Sequence, residues 1–185
     1  NLEFFDYLAL SIIGVTDPVS LEIISNLWDE SGRGCIQKFH TTRFMRVMSS
    51  LGLQYNRKKI IQNMSWEGLA GINLFSYLTL YPFNKTKLFG FLAATEMLDP
   101  PHYSQLIQGL IRISKNMKVN MDYYLGHESI DIEHANGWLT NIILPILIKR
   151  PDKIQDFWLG FYLRLDLSYR YYVRILDSFT NKIAA

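Results

Sequence analysis

Three side chains of the kinds that bind transition metals, His127, Asp131 and His134, fall within eight residues of one another. At 100° per residue, offsets of four and seven put all three on one helix face and turn Glu128 and Glu133 elsewhere. Trp138 extends the stripe by another turn. With Ile130 and Ile132 between them, the helix reads as one with little solvent on any side. Two imidazoles and a carboxylate suit iron, manganese or zinc, whereas magnesium or calcium would call for oxygen ligands alone. The bland alternative is a pair of helix histidines with Asp131 paired to one of them.

Further ligand-type residues lie elsewhere. Glu96 is a lone carboxylate in the uncharged stretch 89–98, so it either has a function or reaches solvent at a helix end. Glu30 and His40 flank the loop Ser31-Gly32-Arg33-Gly34, and antiparallel helices joined by a short loop bring such positions together. Asp29 is the adjacent rival to Glu30. Glu3 lies on the opening helix, with Asp6 as a substitute one turn later. Cys35 follows the glycine loop with no activating base, which makes it a poor nucleophile. His102, after two prolines, reads as a loop residue. Arg33, Arg112 and Arg164 are the arginines that could steer an anionic substrate, although an isolated Arg more often makes a structural ion pair. Nucleophile elbow, phosphate loop and dinucleotide fingerprint are all absent.

Helices must position these residues, because helical periodicity dominates and strand-like alternation is nearly missing. Leu2, Phe5, Leu8 and Ile12 start an amphipathic helix, and Asp17-Pro18 caps one that runs to about Glu30. Helices are expected over about 35–51, 56–63, 68–80 and 85–98. Asp99-Pro100-Pro101 is read as a breaker before a helix over 103–114. Asp122 caps a helix to about 143, and Pro151-Asp152 opens a long last helix rich in aromatics, which suit a core and a homodimer interface.

The 185 residues, with 49% hydrophobic and 19% charged, fit one domain spanning 1–185, since neither a linker nor a solenoid repeat divides them. A formal charge of +2 argues against a nucleic-acid partner. No apolar run approaches the ~20 residues of a bilayer span, so no membrane helix is expected. The single cysteine rules out an internal disulfide and a cysteine-based zinc site, and fits a cytoplasmic location. The chain opens inside an amphipathic pattern, without a Met, and reads as lacking its leading helix or helices.

Residues 26–34 with His40, Leu51-Gly52-Leu53, Ala93-Ala94-Thr95-Glu96, and His127-x3-Asp131-x2-His134 with Trp138 occur in an order that resembles the heme-oxygenase-like non-heme di-iron oxidases and oxygenases, the iron-containing redox enzymes. The resemblance implies an all-α, heme-oxygenase-like helical bundle holding two Fe(II) ions, with manganese as the alternative. It also implies Glu3, Glu30, His40, Glu96, His127, Asp131 and His134 as ligands, Asp6 being the substitute for Glu3. Four carboxylates would then balance two divalent ions. Activity in such a family is the activation of O2 to oxidise a small organic substrate of amine, amino acid or fatty acid type, by N-oxygenation or oxidative carbon–carbon cleavage. Two other classes compete: a metal-free helical bundle acting as a binding protein, and a heme binder with an axial His. Thiamin-degrading bundles, which work through a cysteine, rank last.

Overall fold

The computed structural model describes residues 2–16, 18–115 and 117–183, with side chains through residue 180. Those residues form an all-α, heme-oxygenase-like bundle. Its α-helices are α1 (Phe4–Ser11), α2 (Val19–Glu30), α3 (His40–Ser50), α4 (Arg57–Asn63), α5 (Trp66–Leu80), α6 (Lys85–Ile113), α7 (Asp122–Gly137), α8 (Leu144–Lys149) and α9 (Ile154–Ile183). No strand occurs among the described residues, and no helix there is long and apolar enough to cross a membrane. Asp17, the expected cap of α2, lies outside the described residues, and Pro18 occupies the N-cap position.

The axis of the bundle is α6. Every residue from Leu88 to Glu96 is buried, as expected of a helix that is apolar all round. Packing against α7 and α9 surrounds it, and α9 comes close because Gly90 and Gly160 lie at the crossing. A Cβ on Gly90 would enter the van der Waals shell of the Phe157 carbonyl oxygen, and one on Gly160 that of the Lys87 carbonyl oxygen. Leu8, Ile23, Leu78, Leu92, Trp138 and Ile142 fill the main core around this axis.

Several expected boundaries move. Pro100 and Pro101 do not break the chain: α6 runs through both. Each interior proline costs about 3 kcal/mol because it cannot donate to the carbonyl four residues earlier, here those of Glu96 and Met97. Tertiary packing along both halves of α6 outweighs that local preference. His102 is accordingly a helix residue, its Nε2 3.2 Å from the Tyr172 hydroxyl. The third helix starts at His40 and not near Cys35, since Cys35 and Phe39 are extended around a 3-10 turn at Ile36–Lys38. After α7 the chain passes into a π-helix at Trp138–Ile143, where Pro145 withholds the N–H that would close the preceding α-turn. The aromatics of α9 divide: Phe157 is buried, whereas Tyr162 and Tyr169 are exposed and contribute nothing to the core. Nor is α7 shielded all round, because Leu125, Ile132 and Glu133 face solvent.

Candidate metal centre

The loop after α2 is a helix stop made by glycine. Gly32 takes φ +69°, its N–H bonds to the Asp29 carbonyl at 2.8 Å, and the Arg33 N–H reaches back to the Trp28 carbonyl at 2.9 Å. A Cβ on Gly32 would meet backbone atoms of Cys35 and Phe39 at 2.6 Å, so only glycine fits. This reversal lays His40, first residue of α3, beside Glu30, last residue of α2. A clamp ties α2 to the π-helix that continues α7: Trp138 Nε1 donates to Asn26 Oδ1 (3.1 Å), Asn26 donates to Glu22 (2.9 Å), and Asn141 donates to Glu22 (2.8 Å).

Six of the seven expected ligands come together in two buried triads. Glu30, His40 and His127 form one, and Glu96, Asp131 and His134 the other, each offering donor atoms within 4.8 Å of one another. All six residues are at most 7% exposed. The α7 stripe feeds both triads, as its helical spacing requires, with Asp131 rising about 6 Å beyond His127. A cavity of about 20 Å³ is lined by Glu30, His40 and His127 of one triad, Glu96 and Asp131 of the other, and Phe4. A larger open groove of about 370 Å³, near Ser50, Val119 and Leu125, lies away from both triads.

Glu3 is not brought to either triad. Its Oε1 accepts from Arg57 Nε at 2.5 Å and its Oε2 from the Tyr7 hydroxyl at 3.4 Å, while Phe4, the next residue, faces the site and stacks on His40. Successive residues on a helix diverge by 100°, so one position decides which of the two points inward. Asp6 is exposed and is no substitute. Three carboxylates remain in the triads, and Asp99, on the cavity wall one turn after Glu96, keeps a fourth nearby. Of the arginines, Arg33 is paired to Asp29 at 2.6 Å, and Arg164 Nε donates to the Thr95 hydroxyl at 2.9 Å. Cys35 Sγ contacts only Gln37 Oε1, at 3.2 Å, among its described hydrogen bonds.

Hydrogen bonds and close contacts show which ring nitrogen of each histidine faces the carboxylates. The Tyr123 carbonyl, 2.7 Å from His127 Nδ1, can only accept, so Nδ1 carries a proton and Nε2 faces Glu30 at 3.7 Å. His40 Nε2 lies 3.1 Å from the Tyr123 hydroxyl, which is 3.3 Å from the Tyr103 hydroxyl, and Tyr103 donates to Asp99 Oδ2 at 3.0 Å. His40 Nδ1 is in contact with the Glu30 carboxylate and 3.0 Å from His127 Nε2, so without an ion it is the donor to these acceptors. Two imidazole nitrogens and a carboxylate therefore converge on one point, where a cation could replace the shared proton. In the second triad His134 Nδ1 makes no hydrogen bond although Glu96 Oε2 is 3.5 Å away, and its Nε2 faces Asp29 Oδ2 at 3.3 Å.

Electrostatics separates the triads. Burial alone would raise Glu30, but His40 and His127 outweigh it and hold the carboxyl well below its ordinary range. Burial, reinforced by the charge of Glu96, pushes Asp131 up to about 10, and burial likewise raises Glu96. Burial would lower His134, yet Glu96, Glu30 and Asp29 together push it up to about 9. Two carboxylates that resist sharing one buried region are what a divalent ion relieves.

The sequence singled out the six residues of the triads and missed their supports. Asp29 contacts His134 and lies outside both triads, and Tyr123 contacts two histidines at once. Tyr123 lies four residues before His127 on the same stripe, a signal that could have revealed it.

A model of the iron-containing redox enzyme family matches residues 1–169. No curated protein matches the chain. The chain belongs to the iron-containing redox enzyme family.

Proposed function

We propose that this iron-containing redox enzyme holds two Fe(II) ions, one on Glu30, His40 and His127 and the other on Glu96, Asp131 and His134, and uses O2 to oxidise a small organic molecule. The observation that carries the reading is the convergence of His40 Nδ1, His127 Nε2 and the Glu30 carboxylate in a buried site. The mixed nitrogen and oxygen donors suit iron, with manganese as the competitor. Six buried His and carboxylate side chains in two triads, where a heme would use one or two axial residues, disfavour a heme binder.

The ions supply the redox equivalents and the electrophilic centre for O2. The chain supplies the rest. Glu30, Glu96 and Asp131 provide three negative charges, and Asp99 a fourth at the cavity wall, against four positive charges. Tyr123 and Asp29 orient the imidazoles so that no ring must rotate when an ion arrives. Phe4 and the buried tyrosines exclude bulk water from the pair. The substrate class spans amines, amino acids and fatty acids, with N-oxygenation and oxidative carbon–carbon cleavage as the reaction types.

Anaerobic Fe(II) titration tests the reading. Wild type is expected to take up about two equivalents and His134→Ala about one, and O2 consumption should then be accelerated by one substrate class from an amine, amino acid and fatty acid screen. Iron-free wild type after anaerobic reconstitution would sink it.

A further inference from the structure

Arg164 brings a positive charge to the edge of the site that no acid among the described residues answers. It lies half-buried on α9 where that helix packs against α6. Asp166, on its own helix, is taken by Arg170 at 2.8 Å, and Asp99 Oδ2 accepts from the Tyr103 hydroxyl at 3.0 Å without pairing to Arg164. Neutral groups alone hold the guanidinium: Nε donates to Thr95 Oγ1 at 2.9 Å, Nη1 donates to Ser168 Oγ, and Cζ lies 5.7 Å from the centre of the Phe91 ring. Both hydroxyls spend their own hydrogen on backbone carbonyls, Thr95 on that of Phe91 at 3.0 Å and Ser168 on that of Arg164 at 2.8 Å, so each offers the guanidinium a lone pair. The head group is thus fixed in direction without being neutralised. Nη2 takes no part in these bonds, which leaves one edge of the fork to a ligand. Thr95 also lines the cavity of the triads, together with Glu96 and Asp99. A group gripped by Arg164 therefore starts one side chain away from that cavity.

We infer that Arg164 seats a carboxylate of the substrate, so that the molecule oxidised at this centre is an acid and not a simple amine. The fate of the substrate rests on the two-metal reading, whereas the carboxylate site stands without it. A half-buried guanidinium with no counter-ion gains most from a carboxylate, whose two oxygens match its planar fork. An ammonium meets only like charge there. With Nε tied to Thr95, a carboxylate on the open edge leaves its first carbons beside Thr95, at the margin of the cavity. Amino acids and fatty acids share this group, and the test separates them.

Hexanoate, 2-aminohexanoate and hexylamine, which share a chain length and differ in charge, are the probes. Calorimetric titration of the full chain at about pH 7, where carboxylates and amines are both ionised, is run first metal-free and then after anaerobic loading with Fe(II). Metal-free wild type should bind at least one acid, and hexylamine about tenfold more weakly or not at all. Arg164→Gln should weaken the acids by about 10–100-fold and hexylamine not at all, whereas a merely structural loss would weaken all three alike. Arg164→Lys, which keeps the charge and loses the fork, should fall between. Thermal unfolding checks that both variants fold. In the Fe(II)-loaded protein under O2, the favoured acid should accelerate O2 consumption, with Arg164→Gln raising its KM. Preference for 2-aminohexanoate points to an amino acid, and preference for hexanoate to a fatty acid. Wild type that binds neither acid, a preference for hexylamine, or an acid affinity that Arg164→Gln leaves unchanged overturns the inference. If an acid binds through Arg164 while the protein takes up no Fe(II), the two-metal reading fails and the carboxylate site stands.

Discussion

The triads share a helix, a depth of burial and a donor count, yet they differ in charge. Glu30 faces two imidazoles and stays ionised, so its triad is nearly satisfied by its own members. Glu96 and Asp131 face a single imidazole, His134, and burial pushes both carboxyls up. Replacing one imidazole by one carboxylate changes the site from self-compensated to strained, because a buried like-charge pair cannot both ionise without a counter-ion. Similar ligand lists therefore give one site that contributes to folding and one that opposes it until a cation arrives.

The strongest way to break this contrast is to neutralise one acid from each triad in the metal-free protein at pH 7. Glu30→Gln leaves two imidazoles without their buried partner and should cost about 2–4 kcal/mol, lowering Tm by roughly 5–15 °C. Asp131→Asn should act in the opposite direction. Its carboxyl, with a folded pKa of about 10 against an ordinary 3.8, must bind a proton on folding at pH 7, and that uptake opposes stability. Removing the group should raise stability by about 1–3 kcal/mol and Tm by roughly 3–10 °C. A fall in Tm of similar size for both variants would erase the distinction.

Proton release sharpens it further. An ion in the second triad must displace protons held at about 10 on Asp131 and about 9 on His134, so its affinity should fall as pH falls. Between pH 6 and 8 the loss should approach about 100-fold per unit at that position and about tenfold or less at the first. Glu30 is already ionised there and burial lowers His40. Chelator-competition curves at several pH values measure both slopes, and equal slopes would contradict the assignment. The smallest expected effect is at Glu3. Glu3→Gln removes only a partly exposed pair with Arg57, so it should keep both equivalents and change stability by less than about 0.5 kcal/mol.

How far the sequence reached depended on the range of the forces involved. His127, Asp131 and His134 were legible because helix geometry alone puts offsets of four and seven on one face. Glu96 stood out because a charge in a buried apolar run needs a reason. Glu3 lies apart from the triads because a choice between adjacent residues turns on about 100° of helix rotation, which packing of α1 against α2 and α5 sets and composition does not. The proline pair misled because local propensity, worth about 3 kcal/mol per residue, was weighed without the packing that overrides it. The supports were hidden for a related reason: Asp29 and His134 are 105 residues apart, and no local pattern joins them.

By itself, then, the amino-acid order determined an all-α chain, a His/Asp/His helix face and a set of candidate metal ligands without cysteine, since these follow from periodicity and composition. Tertiary structure decided that six of the seven candidate residues converge, that they divide into two triads of unequal charge, and that Tyr123 and Asp29 contact their histidines. Those outcomes depend on distances between helices and on the directions of individual hydrogen bonds, which exist only once the bundle has packed.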